Sequence, residues 1–206
     1  VEIIKKKSVV SYLGLDLKKF DKNKNNTNNK IPIILWNHRW EYDKNPEDFF
    51  ECLKKIKSIG VEFQLVILGE EFGTEMPVFT DARRYFSDEI IHIGYCESFG
   101  DYASWLWKSD ILPVTINQDF FGGSIMEAVY CGVYPLLPKR LTYPELFDDD
   151  INNNNFYNDK EDFFIRLKEL LLEKDFFNTK INKIAQQYDW KEIAPYYDNL
   201  ISKESS

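Results

Sequence analysis

Short apolar runs alternate with amphipathic helical patterns from residue 31 onward, and this alternation limits the fold more narrowly than any other feature of the sequence. Ile31–Trp36 is continuously apolar, which is typical of a strand covered on both faces. Asn45 and Pro46 predict the start of a helix, with Asn45 as N-cap, and Gly60 predicts its end. Further strands, each followed by a helix, are predicted at residues 61–68, 90–93, 111–115 and 133–137. We therefore predict an α/β fold in which helices cover both faces of a parallel sheet.

The two ends of the chain depart from this pattern. Residues 1–20 form a predicted lead-in segment, within which Val9–Leu13 has the composition of a short strand. Residues 21–30, with the sequence DKNKNNTNNK, contain little that could be buried, which predicts a flexible insert. Residues 31–206 form the predicted main domain, which ends in a helical C-terminal tail with helices at 159–173, 176–187 and 190–202.

The charge balance and the cysteine count argue against several classes of function. The net charge is −8 and the pI is about 4.9, whereas a domain that binds nucleic acid unaided usually carries a basic face. Three cysteines without a C-x-x-C pair argue against a disulfide framework and against a zinc site. No run of 18 apolar residues occurs, so no membrane span is predicted. We expect a location in the cytoplasm or the nucleus.

The loop after the first predicted strand carries two cations. Ligands of open parallel sheets bind at the carboxyl ends of the strands, but this loop has no G-x-G-x-x-G, which disfavours a dinucleotide-dependent dehydrogenase. Arg39 and Lys44 lie five residues apart in it. An arginine fork and a lysine point charge can together clamp a diphosphate. Two solvated surface charges would have the same spacing, and His38, directly before Arg39, is given a structural role.

The loop after the predicted strand at 111–115 combines carboxylates with a glycine pair. Gly122 and Gly123 precede a helix, whose free N–H groups and dipole favour anions. Asp119 and Glu127 flank these glycines, and Glu127 could accept two hydrogen bonds from a ribose diol. The alternative interpretation is an ordinary turn followed by a helix-start carboxylate.

These two loops, in this order, resemble the C-terminal domain of the family 4 retaining glycosyltransferases. The shared pattern is Arg-x4-Lys followed by an acidic-x7-Glu motif that contains Phe-Gly. Within that family the chain looks most like the tRNA-queuosine mannosyltransferase branch. The residues that carry this closer resemblance are 34–47, 120–132, 134–136 and 143–145, with Tyr188-Asp189-Trp190 similar to the family's closing helix signature.

The resemblance implies a Rossmann-like domain that forms the C-terminal half of a GT-B glycosyltransferase. It implies catalytic roles for four charged residues: Arg39 and Lys44 on the donor diphosphate, Glu127 on the ribose, and Asp119 on the transferred sugar. It also implies that the donor contacts the glycine-rich turn and a base pocket, which comprise Phe121, Gly122, Gly123 and Ser124, and Gly69, Glu70 and Tyr95. Asp119 departs from most relatives, which have Glu there, and this shortens its reach.

The same resemblance implies the partners of the domain. The donor would be GDP-mannose, bound without a metal or other cofactor, and the acceptor would be queuosine in tRNA. An N-terminal acceptor-binding domain would complete the enzyme, and this chain alone would be inactive. Two other functions stay open: a GT-B transferase with a different donor or with a lipid or glycan acceptor, and a non-catalytic module that binds nucleotide sugars.

Overall fold

One parallel sheet forms the centre of the computed structural model, which describes residues 8–25, 29–70, 76–147, 155–174 and 181–204. In these ranges the sheet has six strands in the order β3-β2-β1-β4-β5-β6, and every neighbouring pair is parallel. The strands are β1 Ile33–Trp36, β2 Gln64–Leu68, β3 Ile90–Gly94, β4 Ile111–Pro113, β5 Tyr134–Pro138 and β6 Phe156–Tyr157. The predicted α/β class is confirmed, and β6 is a strand that the sequence pattern did not predict.

Helices connect the strands and form the C-terminal tail. The helices of the described ranges are α1 Pro46–Ser58, α2 Pro77–Tyr85, α3 Phe99–Lys108, α4 Gly123–Tyr130, α5 Tyr143–Leu146, α6 Lys160–Glu173, α7 Ile181–Gln186 and α8 Trp190–Glu204, with short 3-10 helices at Lys18–Asn23 and Tyr42–Lys44. In the part of the chain that the structure covers, none of these helices is long and apolar enough to cross a membrane.

The start of α1 differs in detail from its prediction. Asn45 does precede Pro46, but its φ of 53° is left-handed and its side chain does not cap the helix. Instead the Asn45 amide donates to Asp48 Oδ2 at 2.8 Å and to the carbonyl of Thr115 at 3.3 Å. The amide therefore links the start of α1 to the chain that follows β4.

The core has two layers because successive strand residues point to opposite faces of the sheet. From β1, Ile33 and Leu35 join one buried cluster, while Ile34 and Trp36 join the other. Trp36 lies in the aromatic layer and contacts Phe49, Phe50 and Phe79 at ring-centroid distances of 4.9, 6.2 and 5.7 Å. Burial on both faces explains why the strands read as continuous apolar runs.

The lead-in segment packs against the C-terminal tail instead of forming the strand predicted at Val9–Leu13, and that prediction is wrong. Val9, Val10 and Leu13 are exposed, and the strand pairing of the described lead-in residues, 8–20, is limited to an isolated parallel bridge between Leu15 and Asp189. Asp189 Oδ2 accepts the backbone N–H groups of residues 17 and 18, both at 3.1 Å. The contacts with the tail take the place of strand pairing here, because strand propensity depends strongly on the surroundings of a segment.

The boundary predicted at residue 21 falls inside the 3-10 helix Lys18–Asn23. Phe20 is fully buried within this helix, and Tyr130 donates a hydrogen bond to Asp21 at 3.0 Å. Residues 26–28 of the predicted insert lie outside the described residues. At its far end Asn29 donates to the carbonyl of Lys108 at 2.7 Å, so both described ends of the predicted insert contact the domain.

Candidate active site

A cavity of about 440 Å³ opens at the carboxyl ends of β1, β2 and β3. The sheet order places β1 and β4 side by side, although the chain first builds outward to β3 and then returns to β4. Such a reversal leaves a crevice where the loops after the two strands diverge, and ligands of open α/β sheets bind there. The described residues that line the cavity are 37–39, 68–70, 95–99 and Tyr102. Four predicted site residues thus come together there: Arg39, Gly69, Glu70 and Tyr95.

Gly69 makes the wall of the cavity possible. Its φ is +111°, and an added Cβ would lie 2.8 Å from the carbonyl oxygen of His38 and 3.1 Å from Trp40 Nε1. The indole N–H of Trp40 also donates to the carbonyl of Leu68 at 3.1 Å. The loops after β1 and β2 are therefore in backbone contact, and this close approach requires a glycine.

Glu127 reaches the cavity wall through Tyr102, a residue that the sequence reasoning did not assign to the site. The Tyr102 hydroxyl of α3 donates to Glu127 Oε2 of α4 at 2.8 Å. Burial raises the pKa of Glu127, while the Tyr102 hydrogen bond and the charge of Lys19 act in the opposite direction. The carboxylate is thus a partly buried acceptor beside the ligand space, where a diol could complete its hydrogen bonds.

The two cations of the predicted clamp have different surroundings. Arg39 lines the cavity, its side chain is 63% exposed, and its Nη1 atom lies 3.2 Å from Glu41 Oε1. Lys44 is only 13% exposed and lies outside the described lining residues. Its Nζ atom is 3.0 Å from Asp43 Oδ2 and donates to the carbonyl of Gln118 at 3.3 Å. Lys44 therefore fastens the loop after β1 to the loop after β4, and Arg39 faces the ligand space.

Asp119 holds its own loop together. Its Oδ1 atom accepts the backbone N–H groups of Phe120, Phe121 and Gly122 at 2.8, 3.4 and 3.1 Å. Its Oδ2 atom accepts the hydroxyl of Tyr143 at 2.9 Å. A short carboxylate that binds the N–H groups just after it forms an Asx-type turn. Both oxygens are thus already engaged in shaping the glycine-rich turn.

The other predicted residues of that turn, two glycines and Phe121, have different contacts. Gly122 precedes α4 with a φ of +75°, and an added Cβ would lie 3.2 Å from Ile125. Gly123 begins the helix, and an added Cβ there would meet only Leu15, at 3.8 Å. Phe121 packs edge-on against Tyr188 at 5.2 Å and lies outside the described residues that line the cavity. Its neighbours therefore form the turn, while Phe121 anchors it to the tail.

Asn37 and His38 join the end of β1 to Ser124, and no motif in the sequence identified this link. Asn37 Nδ2 donates to the Ser124 carbonyl at 2.7 Å, and His38 Nδ1 lies 3.3 Å from Ser124 Oγ. Burial, with help from the nearby charge of Lys44, lowers the pKa of His38 to about 3. The imidazole is therefore neutral at physiological pH. The structural role predicted for it agrees with this buried position.

The architecture and the cavity define a class: a Rossmann-like domain with a cavity at the carboxyl ends of its parallel strands. Residues 18–188 match the family described as Glycosyl transferases group 1, and the chain belongs to that family. It is 28% identical over 213 residues to the tRNA-queuosine alpha-mannosyltransferase of Drosophila melanogaster, covering 98% of this chain and 56% of that protein. The chain thus spans about half the length of this relative.

Solved structures show the same fold at low sequence identity. Sucrose-phosphate synthase from Thermosynechococcus elongatus has a TM-score of 0.68 at 14% identity, over 93% of this chain and 49% of that one. The pneumococcal O-GlcNAc transferase GtfA, in complex with UDP and GlcNAc, has a TM-score of 0.68 at 14% identity, over 94% of this chain and 38% of that one. The predicted GT-B glycosyltransferase fold is confirmed for this domain.

Proposed function

We propose that this chain is the donor-binding half of a retaining glycosyltransferase that transfers mannose from GDP-mannose to queuosine in tRNA. The Drosophila relative supports this acceptor and this sugar, since its match extends over 98% of the chain. The observation that carries the proposal is a single cavity whose wall combines Arg39 with Tyr102, the hydrogen-bond partner of Glu127. A guanidinium and a buried carboxylate suit the diphosphate and the ribose of a nucleotide sugar.

In this proposal the protein stabilises the charge that develops on the leaving diphosphate. Arg39 binds diphosphate oxygens directly, because its side chain is exposed in the cavity wall and, among the described residues, its ion-pair partner is the neighbouring Glu41. The N-terminus of α4 adds its positive dipole end, and the Asp119 turn fixes where α4 begins. Lys44 contributes positive potential and holds the two loops in register. No metal is required in this scheme, and the donor oxygens themselves take up the acceptor proton.

The acceptor is bound mainly elsewhere in the whole protein. The net charge of −8 disfavours this half as the main contact of an RNA, whose affinity usually depends on neutralising phosphates. We therefore assign most of the tRNA contact to an N-terminal acceptor-binding half and place the enzyme with its tRNA substrate in the cytoplasm or nucleus.

Calorimetric titration with GDP, UDP, GDP-mannose and UDP-glucose, in buffer that contains EDTA, tests the donor. We expect preferential binding of GDP and GDP-mannose. Arg39→Ala should weaken binding by about 1.5–3 kcal/mol, the range for a hydrogen bond to a charged group. Arg84→Ala, which removes an exposed arginine near the end of α2, is the matched control and should bind as the wild type does.

Each other result of this titration has a defined meaning. A preference for the uridine compounds would keep the fold and reject the mannosyltransferase assignment. Loss of binding in EDTA would contradict the metal-free scheme. Unchanged affinity in Arg39→Ala would remove Arg39 from the clamp. For the acceptor, transfer of radiolabelled mannose to queuosine-containing tRNA by the full-length protein, but not to tRNA with guanosine at that position, is the expected result.

A further inference from the structure

Phe120 is the most exposed large apolar side chain that the structure describes, with 95% of its surface accessible. It lies between β4 and α4, directly after Asp119, and outside the described residues that line the cavity. Its backbone is nevertheless held in place, because its N–H donates to Asp119 Oδ1 at 2.8 Å. The ring buries almost nothing, so it contributes almost nothing to the stability of this domain. An exposed aromatic ring on an anchored turn suggests a contact with something outside the domain.

A second exposed ring lies on the neighbouring loop. Tyr42, in the 3-10 helix after β1, is 80% exposed. The two loops are joined by hydrogen bonds from the backbone N–H of Asn117 to the carbonyl of Asp43, at 2.8 Å, and from Lys44 Nζ to the carbonyl of Gln118, at 3.3 Å. Tyr42 and Phe120 therefore belong to one connected edge at the carboxyl end of the sheet. We refer to these two residues as the aromatic rim.

We propose that the aromatic rim stacks on unpaired bases of the RNA acceptor and so positions the acceptor over the bound donor. This proposal rests on the proposed function, which supplies an RNA as the acceptor. Every nucleobase has a π-face, and single-stranded RNA is commonly bound by stacking on exposed aromatic side chains. Stacking needs no excess of positive charge, so it is a contact that an acidic domain can provide.

The local charges permit this contact. Three carboxylates are next to the rim in the chain, and two of them pair with cations: Glu41 with Arg39 at 3.2 Å and Asp43 with Lys44 at 3.0 Å. The third, Asp119, accepts hydrogen bonds from the N–H groups of its own turn and from a tyrosine hydroxyl. These cations and hydrogen-bond donors reduce the repulsion that an RNA backbone would meet.

The position of the rim favours the acceptor over the other half of the protein as its occupant. Phe120 is adjacent to Asp119 and two residues from Gly122, in the turn whose Asp119 the family resemblance assigns to the transferred sugar. The acceptor must approach that sugar, so a permanent protein contact at Phe120 would obstruct the path of the reaction. A planar acceptor base can occupy the same space during transfer.

The test uses the full-length protein and five variants. Phe120→Ala should raise the KM for queuosine-tRNA and weaken tRNA binding in fluorescence anisotropy by about 5- to 150-fold, the equivalent of one lost stacking contact. Phe120→Trp should retain tRNA affinity, whereas Phe120→Leu, which is apolar but not planar, should lose it. Tyr42→Ala should also weaken tRNA binding. The affinity for GDP should stay unchanged in all of them.

Tyr85→Ala is the matched control because Tyr85 is an exposed aromatic residue at the opposite edge, where α2 ends before β3 begins. Its tRNA affinity should equal that of the wild type. The proposal is overturned if Phe120→Leu binds tRNA as well as Phe120→Trp, or if Phe120→Ala leaves tRNA binding unchanged. It is also overturned if Phe120→Ala lowers the melting temperature of the full-length protein without affecting RNA, since the ring would then be a contact between the two halves.

Failure of the proposed function gives a different pattern. A wild-type protein that binds tRNA but transfers no mannose to it rejects the mannosyltransferase assignment, and the anisotropy series still decides the stacking. A wild-type protein that binds no tRNA overturns the stacking proposal itself, even if GDP binding persists.

Discussion

The hydroxyl of Tyr102 provides the most direct measure of how the site carboxylate is held. Tyr102→Phe removes this hydroxyl, which donates to Glu127 Oε2 at 2.8 Å, and leaves the ring in place. The carboxylate is partly buried and would then lose a partner that water cannot easily replace. A hydrogen bond to a charged group contributes about 1.5–3 kcal/mol. We expect the free energy of unfolding, measured with urea at pH 7, to fall by that amount.

Tyr130→Phe is the matched control. It makes the same chemical change to a hydroxyl that donates to Asp21 Oδ1 at 3.0 Å, but Asp21 is exposed and can bind water instead. The expected loss is about 0.5–1 kcal/mol. Equal losses in the two variants would refute the argument that burial of Glu127 makes its hydrogen bond strong.

The pH dependence supplies a second check with a defined sign. Burial raises the pKa of Glu127 above its ordinary value of 4.5, so its protonated form is favoured by folding. The resulting stability is fully present below pH 4.5 and is lost as the pH rises through the folded pKa. Tyr102→Phe removes a bond that favours the ionised form, so the pKa of Glu127 should rise further. The unfolding free energy lost in Tyr102→Phe should therefore be larger at pH 7 than at pH 4. An equal loss at both pH values would contradict a hydrogen bond from Tyr102 to the ionised form of Glu127.

Two further predictions concern the cavity wall. In urea unfolding, Gly69→Ala should destabilise the protein by about 1–3 kcal/mol more than Gly94→Ala. Both glycines have a positive φ, but only at Gly69 would the new Cβ meet another backbone atom, at 2.8 Å. Equal losses would show that the close approach of the two loops does not require a glycine at position 69. For His38, burial lowers the pKa to about 3, so its contribution to stability is full above pH 6.5 and is lost as the pH falls. Between pH 7 and pH 5 the free energy of unfolding of the wild type should fall by about 2 kcal/mol more than that of His38→Gln. An equal fall in the two proteins would show that His38 is accessible to protons in the folded state.

The strands could be predicted where burial on both faces gives the sequence a distinctive pattern. β1 is such a case, because Ile33 to Trp36 are all buried. The same reasoning failed for Val9–Leu13, since an apolar run does not show whether a sheet edge is available to pair with it. β6, Phe156–Tyr157, is too short to give any periodic signal. Composition thus predicts the strand propensity of a segment, but a strand forms only where a neighbouring strand is available for pairing.

Residues that line the cavity could be predicted from their position after a strand, but the hydrogen-bond partners of the site candidates could not. Arg39, Gly69, Glu70 and Tyr95 follow strands of a parallel sheet, and that position alone indicates the ligand edge. The Tyr102–Glu127 hydrogen bond joins residues 25 positions apart on two different helices, a relation without any local sequence pattern. The partners of a charged side chain depend on tertiary packing, which a spacing rule does not contain.

Strand order explains why the loops after β1 and β4 act as one unit. β1 and β4 are neighbours in the sheet although about 75 residues separate them. Lys44 bonds to the carbonyl of Gln118, and Asn37 bonds to the carbonyl of Ser124. Arg39 is therefore displayed from a loop whose position is set by these links. The two cations of one sequence motif thus have different surroundings: Arg39 lines the cavity, and Lys44 fixes the loop that carries Arg39.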